Sequence, residues 1–223
     1  MTDTQQNFKI YMIGMSEHPV SQMYVRTVLP SWKKHGYEVD MFEAITPKDL
    51  YKKNKLTFGT KSKGRPFSLT EIAVWYSHFE LWCECLKTQK PFLIIEHDAK
   101  LVKPLPDLSD VAYKFLAYHD RDYGNPNDQG KVMAPGVGYY ITPLIAQRFV
   151  SHAIALQPLK YNSDGHIAYF TSHKREEQLK DFYYIEQFSI DGLNTIDHNK
   201  KYKKYVGLDY EEIDIPSIHG QEI

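Results

Sequence analysis

With 223 residues, the chain is long enough to bury a sizeable core and short enough to form one domain. Its 42% hydrophobic and 14% aromatic content excludes a disordered chain, and only 12 Gly and 12 Pro exclude a collagenous or low-complexity one. The net charge of −1 gives no global reason to expect a polyanionic partner, so any such case rests on local clusters.

Residues 1–7 are polar and read as a flexible N-terminus without the layout of a signal peptide. Phe8 to Ile13 reads as a strand closed by Gly14. A helix is expected from about Ser21, kinked at Pro30, which has no N–H to donate, and capped at Gly36. Tyr37 to Phe42 alternates and reads as a second strand, followed by a basic loop over residues 48–66. Ser68 and Glu71 have capping-box spacing, and Ile72, Trp75, Phe79, Trp82 and Leu86 then recur every three or four residues, so a mostly buried helix begins there. Cys83 and Cys85 lie within it, read as small buried hydrophobes, and imply a reducing compartment. Pro91 stops the helix. Phe92–Ile95 is apolar on both faces, as an interior parallel strand must be.

Lys114 to Tyr118 reads as a further strand, His119 to Lys131 as a turn-rich loop, and Gly138 to Ile141 as a strand. Thr142 caps a helix that has Pro143 at its first position and runs to about Leu156. Asp164 to Ser172 reads as helical, Phe182 to Ile185 as a late strand, and residues 200–223 as a tail segment. The order predicts an α/β fold: a mixed, mainly parallel sheet with helices on both faces, in a single domain over 1–223. No apolar stretch approaches the ~18 residues of a membrane helix, so the expectation is a cytoplasmic chain without a transmembrane segment.

The chemistry concentrates where Phe92–Ile95 runs into Glu96–His97–Asp98. Ligands of open α/β sheets bind beyond the carboxyl ends of strands. Residues two apart on an extended segment point to one side, so Glu96 and Asp98 are expected to present two carboxylates to one point. A divalent cation relieves their repulsion, and hard oxygen ligands suit Mg²⁺ or Mn²⁺ sharing its shell with substrate phosphates. The alternative is an ordinary polar strand exit with solvated charges.

Ser68–Leu69–Thr70–Glu71–Ile72–Ala73, then Ser77–His78–Phe79–Glu80–Leu81–Trp82, then Leu93–Ile94–Ile95–Glu96–His97–Asp98–Ala99 resemble glycosyltransferase family 25, the lipooligosaccharide and collagen sugar transferases. The family pattern is an L-T-x-x-E-I-A/G helix, an S-H-x-x-L-W continuation and an apolar strand ending in E-D-D. Phe42–Glu43–Ala44–Ile45, Gly138–Tyr139–Tyr140–Ile141 and Asp164 resemble further pieces of it. Two departures stand out: His97 replaces the middle acid, and Met12–Ile13–Gly14–Met15 lacks the family's asparagine-leucine pair.

The resemblance implies a GT-A-like, inverting transferase that uses a nucleotide sugar, most often a UDP-sugar, with Mn²⁺ or Mg²⁺. Glu96 and Asp98, with His97 as a further candidate, are the expected metal ligands; Asp164, or else Asp191, is the expected catalytic base. Ile13, Gly14, Ser77 and His78 are the candidates for nucleotide-sugar contacts, although a mid-helix histidine among apolar neighbours also reads as a satisfied core residue. Asp164 within Asn162–Ser163–Asp164–Gly165 also reads as a helix cap.

Two lysine-rich clusters supply the candidate acceptor surface: Lys61, Lys63 and Arg65 from the basic loop, and Lys201, Tyr202 and Lys204 from the tail. A solvated face is the usual reading of such runs. Read functionally, they suit a polyanionic acceptor, either phosphorylated lipooligosaccharide core or a hydroxymethylated base in DNA, as bacteriophage enzymes of this general kind modify. The competing class is a non-catalytic nucleic-acid-binding module on a degenerate transferase scaffold.

Overall fold

Strand Phe92–Glu96 (β3) organises the fold, because all four residues of Phe92–Ile95 are completely buried in the computed structural model. Phe92 and Ile94 enter one core with Trp75, Phe79, Trp82 and Phe149, while Leu93 and Ile95 enter another with Ile10, Met12, Val28 and Trp32. Side chains alternate across a strand, so one apolar run feeds two cores, each gaining about 1.5–3 kcal/mol per fully buried large side chain. The structure describes residues 7–61, 64–120, 131–169 and 182–188. The chain divides into Met1–Phe188 and Ser189–Ile223, and all described residues belong to the first unit.

Strands Lys9–Gly14 (β1) and Asp40–Glu43 (β2) run parallel to each other, and β1 runs parallel to β3 on its other side. Strands Gly138–Ile141 (β8) and Tyr113–Phe115 (β5) complete the sheet in the order β2-β1-β3-β8-β5, both added antiparallel. A second sheet has the order β4-β9-β6-β7, built from Ala99–Leu101 (β4), Ile185–Gln187 (β9), Ala117–Asp120 (β6) and Lys131–Met133 (β7). The expected mixed sheet with helices on both faces is present; its parallel part is β2-β1-β3, where α/β crossovers join the strands.

Helix α1, Pro19–Lys34, lies on one face through Val28 and Trp32. It starts before Ser21 because His18 is the N-cap, its Nδ1 accepting from the Ser21 N–H at 3.4 Å, and Pro19 presets the first turn. It continues through Pro30 to a Schellman ending: Gly36 has φ +80°, its N–H donates to Lys33, and Tyr37 N–H donates to Trp32. Helix α2, Leu69–Thr88, covers the other face. Its capping box is formed as expected, Ser68 Oγ accepting from the Glu71 N–H and the Glu71 carboxylate from the Ser68 N–H.

Several segments differ from the sequence expectation for physical reasons. The basic loop contains a 3-10 helix, Pro47–Lys52, stabilised by Thr46 and Asp49. The expected strand 114–118 is split at Leu116, with β5 in one sheet and β6 in the other. The loop expected over 119–131 is entered from both ends by the antiparallel pair β6–β7. Thr142 precedes helix α3, Pro143–Ala155, but its hydroxyl donates to the Ala112 carbonyl instead of capping. The late strand starts at Ile185, because Phe182 and Tyr184 bury their rings from a turn and only Ile185–Gln187 reaches the β4–β6 gap. Helix α4 is Ser163–Tyr169, and positions 170–172 of the expected helix lie outside the described residues. Among the described residues, no helix is long and apolar enough to cross a membrane.

The core between α2, α3 and α4 contains a buried histidine. His166 stacks on Trp82 at 5.7 Å and meets Trp75 edge-on at 4.7 Å. Burial and the neighbouring His152 push its pKa down to about 4, against the Phe149 carbonyl, which favours the charged ring. The unfolded chain takes up this proton near pH 6.5 and the native one only near 4, so stability is complete above about 6.5 and is lost as the pH falls through that window. The expected loss from this group is roughly 2 kcal/mol at pH 5 and about 3 kcal/mol below pH 4. Thermal melts of wild type and His166→Phe between pH 7.5 and 4.5 check this: the variant should show the flatter profile, and parallel profiles would discard the assignment.

Candidate active site

The strand order reverses at β1: the chain goes from β1 to β2 on one side and returns to β3 on the other. The crevice outside the carboxyl ends of such strands is where open α/β sheets bind ligands. Gly14 ends β1 there, Glu43 ends β2 beside it, and Glu96 ends β3. After Glu96 the backbone does not stay extended. It turns at His97–Asp98 and enters β4 of the second sheet. The acid pair thus sits where the chain passes from one sheet to the other, and the turn, not strand alternation, brings Asp98 beside Glu96.

Three carboxyls influence one another electrostatically here. Burial, and then the charge of Asp98, push the Glu96 pKa up to about 8. Burial also raises Asp98, opposed by His97, by a 3.0 Å hydrogen bond from Gln187 and by its own N–H. Asp98 Oδ1 is buried without a hydrogen-bond partner. Asp164 arrives from the first turn of α4. Burial and the Glu96 charge push it up to about 6, while His78 and a hydrogen bond from the Gly136 N–H pull the other way. Asp164 as a residue keeps exposed surface while protein atoms crowd its carboxyl, which fits a crevice wall.

Gly136, in the turn before β8, makes this approach possible. A Cβ there would stand 2.0 Å from Asp164 Oδ1 and 3.7 Å from Glu96 Oε1. Sequence reasoning missed Gly136, although Pro135–Gly136 ahead of a strand is the kind of dipeptide that marks a close backbone approach.

The other candidates divide. His97 turns to the α1 face: its ring lies 5.5 Å from Tyr24 and donates to the Ile13 carbonyl, while Glu96 points the opposite way, toward His78 of α2. Burial lowers the His97 pKa against the pull of Asp98, and its Nε2 is buried without a partner. Ile13 and Gly14 line the end of β1 with little exposure, and a Cβ on Gly14 would stand 2.8 Å from Met41 Cε. Ser77 is 1% exposed; its hydroxyl donates to Ala73 and accepts from the Ile45 N–H, so it anchors the loop after β2.

His78 is fully buried, its Nδ1 2.9 Å from the Tyr139 hydroxyl and its Nε2 3.5 Å from Glu96 Oε1. Burial pushes its pKa down to about 4 in spite of the Asp164 charge, so the ring is neutral.

In the basic loop, Lys61 and Arg65 are paired with the first turn of α2. Lys61 donates to the Glu71 carboxylate, and Arg65 grips it with two nitrogens at 2.8 and 2.9 Å. Burial of Glu71 works the other way, but Arg65, Lys61 and the Ser68 N–H hold its carboxyl well below the usual range. Lys63, Asp191, Lys201, Tyr202 and Lys204 lie outside the described residues.

No curated protein matches the chain. A solved structure, described as a glycosyltransferase involved in the glycosylation of the major capsid of PBCV-1, shares 12% identity at a TM-score of 0.41, covering 81% of this chain and 82% of that one. Residues 8–123, just over half of the 223-residue chain, match the family described as Glycosyltransferase family 25 (LPS biosynthesis protein). This span takes in β1, β2, α2 and β3 together with the Glu96–Asp98 turn, while Gly136 and Asp164 lie beyond it, and the chain belongs to glycosyltransferase family 25.

Proposed function

We propose that the protein transfers a sugar from a UDP-sugar to a hydroxyl of a phosphorylated glycolipid core, with inversion at the anomeric carbon and with a divalent cation held by Glu96 and Asp98. The observation that carries this reading is the convergence of Glu96, Asp98 and Asp164 at the outlet of β3.

The residues present fit a cation. Asp98 Oδ1 is a buried acceptor with no partner, and two crowded carboxyls with raised pKa values gain from a positive charge. Among the described residues, no group of three or more His, Cys, Asp or Glu is arranged to hold an ion. Glu96 and Asp98 would therefore hold it together with substrate phosphate oxygens, and His97, on the other face, would not. When bound, Mn²⁺ or Mg²⁺ supplies charge compensation for the departing diphosphate.

Asp164 then acts as the base. Its carboxylate, oriented by the Gly136 N–H, accepts the acceptor hydroxyl proton. The freed oxygen bonds to the anomeric carbon as the carbon–phosphate oxygen bond breaks, and UDP leaves with that electron pair. A raised pKa suits a base that works near neutrality. Hydroxymethylated DNA remains the second acceptor class. Lys61 and Arg65 lend neither acceptor much support, because Glu71 already engages both.

A panel of UDP-sugars with Mn²⁺, screened by thermal shift, identifies the donor, since a bound ligand raises the melting temperature. Calorimetric titration of UDP with Mn²⁺ into wild type and Asp98→Ala then tests the ligand role. At least tenfold weaker binding by the variant is expected, on the order seen when a metal site loses a supporting group. Equal binding would remove Asp98 from the site.

A further inference from the structure

Behind Glu96 lies a row of buried polar groups that the proposed reaction does not use. Trp82 Nε1 donates to the Tyr139 hydroxyl at 2.8 Å, that hydroxyl lies 2.9 Å from His78 Nδ1, and His78 Nε2 lies 3.5 Å from Glu96 Oε1. Trp82, His78 and Tyr139 are all 0% exposed. Three elements contribute: α2 supplies Trp82 and His78 one turn apart on one face, β8 supplies Tyr139, and β3 supplies Glu96.

The distances admit one consistent assignment of the protons. An indole N–H only donates, so the Tyr139 oxygen accepts from Trp82. The hydroxyl has one proton left to give, and His78 Nδ1 is within reach. A neutral imidazole that accepts at Nδ1 carries its own proton at Nε2, the nitrogen facing Glu96. The 3.5 Å gap is longer than a hydrogen bond, and His78 Nε2 has no other partner.

We infer that Tyr139 and His78 are positioning residues: Tyr139 fixes the His78 tautomer, and the resulting Nε2–H engages Glu96 Oε1, the oxygen on the Gly136 side of the crevice, and so fixes the orientation of the carboxylate. The inference rests on the reading of Glu96 as a carboxylate that holds substrate through a cation. A histidine that merely fills the core would need no particular tautomer. A histidine that orients a ligand-holding carboxylate does, and such supporting hydrogen bonds typically change metal affinity by roughly 10–100-fold.

The test combines a spectroscopic and a binding readout. Long-range ¹H–¹⁵N NMR of the wild-type protein should show His78 protonated at Nε2, and Tyr139→Phe should disturb that pattern. A wild-type ring protonated at Nδ1 overturns the inference without any variant having to fold. For binding, His78→Gln places an amide nitrogen near the Nε2 position, whereas His78→Asn is too short to reach Glu96. UDP affinity with Mn²⁺ should stay within about threefold of wild type for His78→Gln and fall roughly 10–100-fold for His78→Asn and Tyr139→Phe. Equal losses in the Gln and Asn variants, with Glu96→Gln also impaired, overturn the relay alone. Undiminished binding by Glu96→Gln overturns the underlying reading of Glu96, and the relay's role with it.

Discussion

Replacing Asp164 with asparagine is expected to slow sugar transfer by roughly 10²–10⁴-fold, the range that a positioned general base contributes, while UDP binding with Mn²⁺ persists. Asparagine retains an oxygen to accept from the Gly136 N–H, so the side chain stays in place and only proton uptake is lost. It also removes one negative charge from a cluster in which Glu96 and Asp164 oppose each other's ionisation, and this should not weaken nucleotide binding. The measurement is steady-state turnover of the UDP-sugar selected by the thermal-shift panel, alongside calorimetric titration of UDP. Turnover within a few-fold of wild type would exclude Asp164 as the base.

Gly136→Ala should cost about 100-fold in kcat/KM, although the alanine methyl never touches substrate. The new Cβ would lie 2.0 Å from Asp164 Oδ1, where no contact is tolerated, so the carboxyl must swing out and lose the Gly136 N–H. A displacement of about 1 Å in a reacting group costs on the order of 10²-fold. Gly138→Ala is the comparison. There the methyl meets Ile185 Cδ1 at 2.8 Å and Ala117 Cβ at 3.1 Å, a packing conflict between the sheets. The first variant should lose turnover with little change in melting temperature, and the second should lose melting temperature first. The opposite pattern would detach Gly136 from the site.

Local rules made the frame legible. The Ser68–Glu71 pair set the start of α2, the doubly apolar run Phe92–Ile95 announced a strand feeding two cores, and Gly36 marked a left-handed helix ending. The second sheet was less legible, because its strands are only three or four residues long and cannot display a period. The start of α1 was missed because histidine is not among the usual capping residues.

At the candidate site, spacing predicts Glu96 and Asp98 on one extended segment, whereas the chain turns between them at His97–Asp98. The basic loop looked free for an acceptor, because nothing local indicates that Lys61 and Arg65 fold back onto Glu71. The Trp82–Tyr139–His78 row could not be read at all. Its partners are 57 and 61 positions apart, and only the packing of β8 against β3 and α2 unites them.

The passage of the chain from β3 to β4 has a mechanical consequence. Glu96 belongs to a strand clamped between β1 and β8, whereas Asp98 is tied by Gln187 to β9 of the neighbouring sheet. A cation bound by both acids, as proposed, would therefore add a tie between two sheets that already pack through Gly138, Ala117 and Ile185.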